Sequence, residues 1–201
     1  MAESPEEFVA RALAAADDGG RLDMPPVDEW ATFPFEGDLR VRRFLTAVTT
    51  EEPRRGEGGR DCWRCDSGLE NAIWSDDSWM VTSLVRPSGL PVIVILFPRA
   101  HHDIDDLPGE LSSRLGPMLL RVEAAVRSAG EIGRVHVCRW GDGSAHLHWW
   151  FMARPARIPQ LVGSFAAIWD DILPPVPDHI WHANLVAVAD ALAADGGIVH
   201  I

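Results

Sequence analysis

Gly141-Asp142-Gly143-Ser144-Ala145-His146-Leu147-His148-Trp149-Trp150-Phe151-Met152-Ala153 is the stretch from which the rest of the chain can be read. Side chains on a strand alternate between faces, so a strand over Ala145–Ala153 puts His146, His148 and Trp150 on one side. Leu147, Trp149 and Phe151 then share the other side, which is apolar and suits a core. The two imidazoles project together directly after a glycine-containing turn, Gly141–Ser144, of a kind that can aim backbone N–H groups at an anion as nests do. An imidazole beside an anion cradle is a nucleophile suited to phosphorus. The structural alternative is a pair of packed histidines on a strand.

Working outward from this strand, Arg134–Trp140 reads as another, joined to it by the tight Gly141–Ser144 connection. Pro108–Gly130 has helical spacing, with Leu111, Leu115, Leu119 and Val122 on one side and Gly130 as the stop. Before it, Asn71–Ser75, Trp79–Leu84 and Pro91–Phe97 read as three strands separated by turn-like segments. After the His-x-His strand, Gln160–Leu173 and Asp178–Ala194 read as two helices separated by Pro174, Pro175 and Pro177. At the other end, Ser4-Pro5-Glu6-Glu7 is a capping box opening a helix to about Ala16. Leu39–Leu45 reads as a strand, and Pro53–Arg60 as a mobile loop by composition. Strands grouped before and after one long helix predict an α+β fold with an antiparallel sheet of about five strands.

A second chemical element is Cys62-Trp63-Arg64-Cys65. Two thiolates at this spacing suit a tetrahedral Zn²⁺, which takes Cys and His ligands. The redox alternative needs a thioredoxin-like βαβ setting, and none follows in the sequence. Zinc needs two further ligands, and the chain offers His101 or His102 together with His146.

Taken together, these residues resemble the histidine triad (HIT) superfamily. The order matches from about Cys62 to Pro155: CxxC, two hairpin-like strands, Phe97-Pro98-Arg99-Ala100-His101-His102 before a helix, a strand, and then the His-x-His strand. The metal pattern is similar to that of the galactose-1-phosphate uridylyltransferase branch. That resemblance implies Cys62, Cys65, His101 and His146 as ligands of a structural Zn²⁺ and His148 as nucleophile. It also implies a covalent nucleotidyl-histidine intermediate on a nucleotide-type substrate, and a homodimer. The third triad position is Trp150, whose indole donates one hydrogen bond but cannot shuttle a proton. The turn before the motif is shorter than the usual family loop, and its Asn has no evident counterpart. A second register stays open, with His146 as nucleophile and His148 as the final histidine. It would leave zinc with three protein ligands and put Ser144 where a histidine normally stands.

On the resemblance, residues 1–60 are an N-terminal extension, 61–156 the HIT-like domain, and 157–201 a C-terminal helical extension packed on it. The expected substrate contacts are Gly143, Asp142, Arg139, Trp150 and Arg154, with Ser144 assisting His148. Ile73, Trp74, Trp79 or Val81 would supply an apolar wall for a nucleoside. His179 and His182, one helical turn apart, read as solvated beside an Asp178 N-cap, with metal binding as the alternative. His136 and Cys138 read as packing. Arg54, Arg55 and Arg60 read as a solvated loop, with reach to a substrate phosphate as the alternative.

Composition narrows the chemistry. The 201 residues carry a net charge of -12, a field that repels nucleic-acid backbones, so general nucleic-acid binding is not expected. There is no Lys and no Tyr, which excludes Schiff-base chemistry, a Walker A lysine and a tyrosine acid/base. No apolar run approaches the roughly 20 residues of a membrane span. Three cysteines, two of them close together, and an acidic N-terminus predict a reduced, cytoplasmic setting.

Overall fold

A computed structural model describes residues 13–21, 33, 35, 37–39 and 46–201. The chain divides into two compact units, Met1–Glu52 and Pro53–Ile201. In the first, Leu13 and Ala14 are helical; the rest of the helix expected from Ser4, and residues 40–45 of the expected strand, lie outside the described residues.

The second unit is built on an antiparallel sheet. Its strands are β1 (Ala72–Ser75), β2 (Trp79–Ser83), β3 (Ile93–Pro98), β4 (Ile132–Cys138), β5 (Trp149–Pro155) and β6 (Ile198–Val199), in the order β4-β5-β3-β2-β1-β6. Its helices are α1 (Trp63–Ser67), α2 (Gly109–Arg127), α3 (Ala166–Ile172) and α4 (Asp178–Ala193). No helix among the described residues is long and apolar enough to cross a membrane.

The central strand β3 reads Ile-Val-Ile-Leu-Phe-Pro and is buried along its whole length, as a strand covered on both faces must be. Alternation sorts its side chains. Val94 and Leu96 join Trp79, Val81, Phe151 and Ala153 on the face covered by α2 and α4. Helix α2 buries Met118, Val122, Ala125 and Val126 there, and α4 buries Leu185, Val188, Ala189 and Leu192, both at the i, i+3/i+4 spacing of an amphipathic stripe. Ile95 and Phe97 face the opposite way with Met80 and Trp150. That second face carries the candidate site.

Several expectations are corrected. The strand expected at Ala145–Ala153 begins only at Trp149. Upstream, the Ala145 N–H donates to Arg55 O and the Leu147 N–H to His102 O, so the His-x-His segment is tied to two loops instead of a neighbouring strand. Among the described residues the sheet has six strands where about five were expected, because Val199 pairs with Trp74 and Ile198 with Ser75. Gly196 and Gly197, at φ 96° and 95°, make that turn in the left-handed region that favours glycine. Residues 157–201 are therefore part of the sheet as well as a helical layer over it. Gln160–Leu173 is not one helix but a 3₁₀ turn (Pro159–Leu161) and α3, separated by Gly163 at φ 85°. Helix α4 starts after Pro177, with no side-chain cap from Asp178. Pro53–Arg60 belongs to the second unit rather than to an N-terminal extension, and includes a 3₁₀ turn at Glu57–Gly59.

Candidate functional site

Four side chains converge where α1, the loop after β3 and the approach to β5 meet. Cys62 immediately precedes α1 and Cys65 lies on its first turn, so one helical turn brings both thiols to the same side. The donor atoms of Cys62, Cys65, His101 and His146 all lie within 4.8 Å of one another. His146 Nδ1 is 3.3 Å from Cys62 Sγ and 3.6 Å from Cys65 Sγ, and His101 Nδ1 is 3.5 Å from Cys65 Sγ. A tetrahedral ion about 2.3 Å from sulfur and about 2.0 Å from nitrogen separates such ligands by about 3.5 Å. The set can therefore hold a metal ion without rearrangement.

The tautomer of His146 agrees with this role. Its Nε2 lies 2.9 Å from the Pro98 carbonyl, which can only accept, so Nε2 carries the hydrogen and Nδ1 turns its lone pair to the thiols. The ring is buried, and burial holds its pKa below the ordinary histidine value, keeping it neutral. Burial and the adjacent Cys62 thiol push Cys65 up to about 11, so thiolate there calls for a cation. Gly56 closes the cluster from the side. It sits at φ 83°, and a Cβ on it would lie 3.2 Å from His101 Cε1 and 3.3 Å from Cys62 Cβ.

His148 faces the other way, into a cavity of about 530 Å³ on the open side of the sheet, a size suited to a small-molecule ligand. Its Nδ1 is 2.8 Å from the His146 carbonyl. By the same logic Nδ1–H donates there and Nε2 is left with a lone pair. Phe97 lies beneath the ring at 6.0 Å between centroids, and Trp150 stands 6.5 Å away at 73°. Ile95, Trp63, Trp140, Gly143, Ser144 and Arg55 complete the lining. The Ser144 hydroxyl accepts the His146 N–H at 3.2 Å, which leaves its own hydrogen to donate.

The loops around the cavity are fastened by Asp103, which is only 8% exposed. Its two oxygens accept Arg54 at 2.6 Å and Arg139 at 2.7 Å, and also the Ile104 N–H at 2.7 Å. Burial alone would raise its pKa, but these three donors outweigh burial and hold the carboxyl below its ordinary value. Arg54 also donates to Gly141 O at 3.1 Å, so the segments bearing Arg55, His101 and Ser144 are joined through one carboxylate.

The structure thus brings His148, Ser144, Gly143 and Trp150 to one cavity and separates three other candidates from it. Arg139 is engaged by Asp103. Arg154 lies roughly 13 Å along β5 from Trp150 and donates to the carbonyls of Pro155 and Ile158. Asp142 is exposed and does not line the cavity. The turn is not a nest of left-handed residues, since neither Gly141 nor Gly143 has positive φ. Gly141 instead leaves room for Arg139, whose guanidinium would meet a Cβ at 2.8 Å. Ile73, Trp74, Trp79 and Val81 form no pocket wall; they are core residues on the helix-covered face. His102 lies 3.7 Å from Asp106 and outside the ligand cluster. The register with His146 as nucleophile fails sterically, because that ring is 1% exposed and both its nitrogens are engaged. His179 and His182 are exposed, as expected, and Cys138 packs on β4.

Sequence reasoning missed Trp63, Trp140, Ile95 and Phe97, and favoured a solvated loop for Arg55 over its reaching a substrate phosphate. Trp63 alone had a legible signal: it lies between the two Cys ligands and must travel with them. Arg55 reaches the cavity only because its backbone bridges to Ser144.

No protein-family model and no curated protein matches the sequence. The chain is similar to solved structures of histidine triad proteins. One is a zinc-bound histidine triad family protein from Mycobacterium smegmatis (19% identity, 65% of this chain and 94% of that one, TM-score 0.47). Another is a hypothetical histidine triad nucleotide-binding protein from Sulfolobus tokodaii (12% identity, 66% and 93%, TM-score 0.49). A third is a HIT family hydrolase from Legionella pneumophila (19% identity, 49% and 98%, TM-score 0.39).

Proposed function

We propose that this chain is a nucleotidyl hydrolase or transferase that works through a covalent nucleotidyl-histidine on His148. Nucleoside phosphate anhydrides, esters and phosphoramidates are the classes of compound open to this chemistry, and the leaving group decides among them. The observation that carries this is the hydrogen bond from His148 Nδ1–H to the His146 carbonyl, which turns an unprotonated Nε2 into a cavity large enough for a nucleotide. Nε2 attacks the α-phosphorus in line, and the leaving group departs from the opposite side. Positive charge that develops on the ring is stabilised by the same carbonyl. Arg55, whose guanidinium has no protein partner among the described residues, and the Ser144 hydroxyl bind the phosphoryl oxygens. Trp63, Phe97, Trp140 and Trp150 give the nucleoside flat apolar surfaces. Water or a second acceptor then takes the nucleotide from His148.

Cys62, Cys65, His101 and His146 would hold a structural Zn²⁺, since two thiolates and two imidazoles are the donor set that ion prefers. The metal's contribution is rigidity. His146 lends its ring to the cluster and its carbonyl to His148, so holding the ring also fixes the nucleophile.

The test is to mix the protein with a dinucleoside polyphosphate, quench in base and measure intact mass. A nucleotidyl adduct that maps to His148, and turnover lost in His148→Ala, are expected. Turnover that survives in His148→Ala would overturn the proposal. A protein that binds the nucleotide but never forms the adduct would instead be a zinc-stabilised binding module.

A further inference from the structure

We infer that this site expels only leaving groups able to depart without a proton, so its substrates are phosphoric anhydrides and esters of acidic hydroxyls, not phosphoramidates or alkyl esters. This rests on His148 acting as the nucleophile proposed above. What carries it is a juxtaposition: a nucleophile whose one N–H is tied to a peptide carbonyl, facing a cavity wall that has no acid among the described residues.

Each polar group near the reacting centre can be taken in turn. The indoles of Trp140 and Trp150 donate hydrogen bonds but do not give up the proton, and a guanidinium such as Arg55 stays protonated throughout. The Ser144 hydroxyl is no stronger an acid than the alcohol it would have to protonate. His146 has one nitrogen on the Pro98 carbonyl and the other turned to the thiols. The carboxyl of Asp103 is clamped between two guanidinium groups and is already ionised. Among the described residues, no group lining the cavity can deliver a proton to a departing atom.

The bonding changes follow from this. The Nε2 lone pair forms the P–N bond, and the bond from phosphorus to the leaving group breaks with its electron pair on the leaving atom. The Nδ1 hydrogen stays in place. In hydrolysis, water then forms the new P–O bond, the P–N pair returns to Nε2, and one water proton goes to solvent. The first step therefore creates a free anion. A phosphate leaving group carries that charge easily, its conjugate acid having a pKa of about 6. An amine, basic enough to be protonated near pH 10.4, leaves only as the neutral molecule and so needs a proton, which no described residue of this cavity supplies. An alkoxide, with a conjugate acid close to water at about 15.7, is equally poor.

The experiment compares para-nitrophenyl, phenyl and methyl esters of one nucleoside monophosphate, together with its phosphoramidate, on the metal-loaded full chain. A positioned general acid contributes on the order of 10²–10⁴ in rate, so the para-nitrophenyl ester should exceed the phosphoramidate and the methyl ester in kcat/KM by at least that factor. Trp150→His places a titratable ring on the same wall and should raise the ratio of phosphoramidate to para-nitrophenyl ester kcat/KM at least about tenfold, a ratio from which any shared loss of nucleoside binding cancels. A phosphoramidate turned over as fast as the para-nitrophenyl ester overturns the inference but leaves the covalent step standing. An unchanged ratio in Trp150→His, with the fold intact, also overturns it. Absence of the nucleotidyl-histidine with every compound removes the underlying proposal as well.

Discussion

Asp103 offers the sharpest perturbation, because a single buried carboxylate holds three segments together. Asp103→Asn keeps the shape but replaces one accepting oxygen with an NH₂ group. One of Arg54 or Arg139, at 2.6 and 2.7 Å in the native protein, would then face a donor with a donor. Breaking one side of a fully buried pair costs about 3–5 kcal/mol. The two arginine side chains are 28% and 24% exposed, and water can reach them in part. The expected loss is therefore lower, about 2–4 kcal/mol. For a chain of this size that lowers Tm by about 4–16 °C, measured by calorimetry at pH 7.

The pH dependence gives an independent check. The Asp103 pKa is depressed in the folded protein, since the Ile104, Arg54 and Arg139 hydrogen bonds together outweigh burial. The stability it contributes is therefore fully present above the ordinary carboxylate value and is lost as pH falls through the folded value. The gap between native protein and variant should stay constant from pH 7 to about 5 and close below the ordinary value of 3.8. A Tm change within a degree at pH 7, or a gap that widens in acid, would refute the clamp. Because the same carboxylate positions the Arg55 and Ser144 segments, KM for a nucleotide substrate should also rise in the variant.

Three further outcomes are expected. Purified protein should contain about one equivalent of zinc, and Cys62→Ser should lose it; chelation should change tryptophan emission, since Trp63 sits between two ligands and on the cavity wall. Emission unaltered after metal loss would separate the two sites. Arg55→Met should raise KM about 10–100-fold with kcat nearly constant, the effect of removing a charge-assisted hydrogen bond present in both ground and transition states; an unchanged KM in steady-state kinetics would place the phosphate elsewhere. Gly197→Ala should destabilise the protein and release β6, because the residue has φ 95° and its Cβ would enter the Trp74 indole. Native-like hydrogen-exchange protection of the His200 amide, which donates to Ile73 O, would contradict that release.

Much of the architecture was legible in hydrophobic pattern. The runs around Trp79–Ser83 and Ile93–Pro98 announce strands, and the apolar positions through Val122 announce the long helix, because burial acts on local periodicity. The four Cys and His ligands were legible for a related reason: metal chemistry restricts residue type and spacing. The sixth strand was not, since Ile198–Val199 is too short to declare itself without the β1 edge it meets. Nor was the break before Trp149, which arises from hydrogen bonds to Arg55 and His102, residues 90 and 45 positions away from Ala145 and Leu147.

The amino-acid order by itself determined that two imidazoles flank Leu147, that thiols stand ready to pair with one of them, and that no lysine or tyrosine chemistry is available. Which imidazole is sealed and which is open was decided only in three dimensions. Pro98 O and His146 O, two carbonyls with no signature in side-chain sequence, select opposite tautomers for His146 and His148. A tautomer depends on what lies within hydrogen-bond reach of each ring nitrogen. For His146 that is the Pro98 carbonyl, distant in sequence and brought close by folding. For His148 it is the carbonyl two residues back, placed by the local backbone conformation.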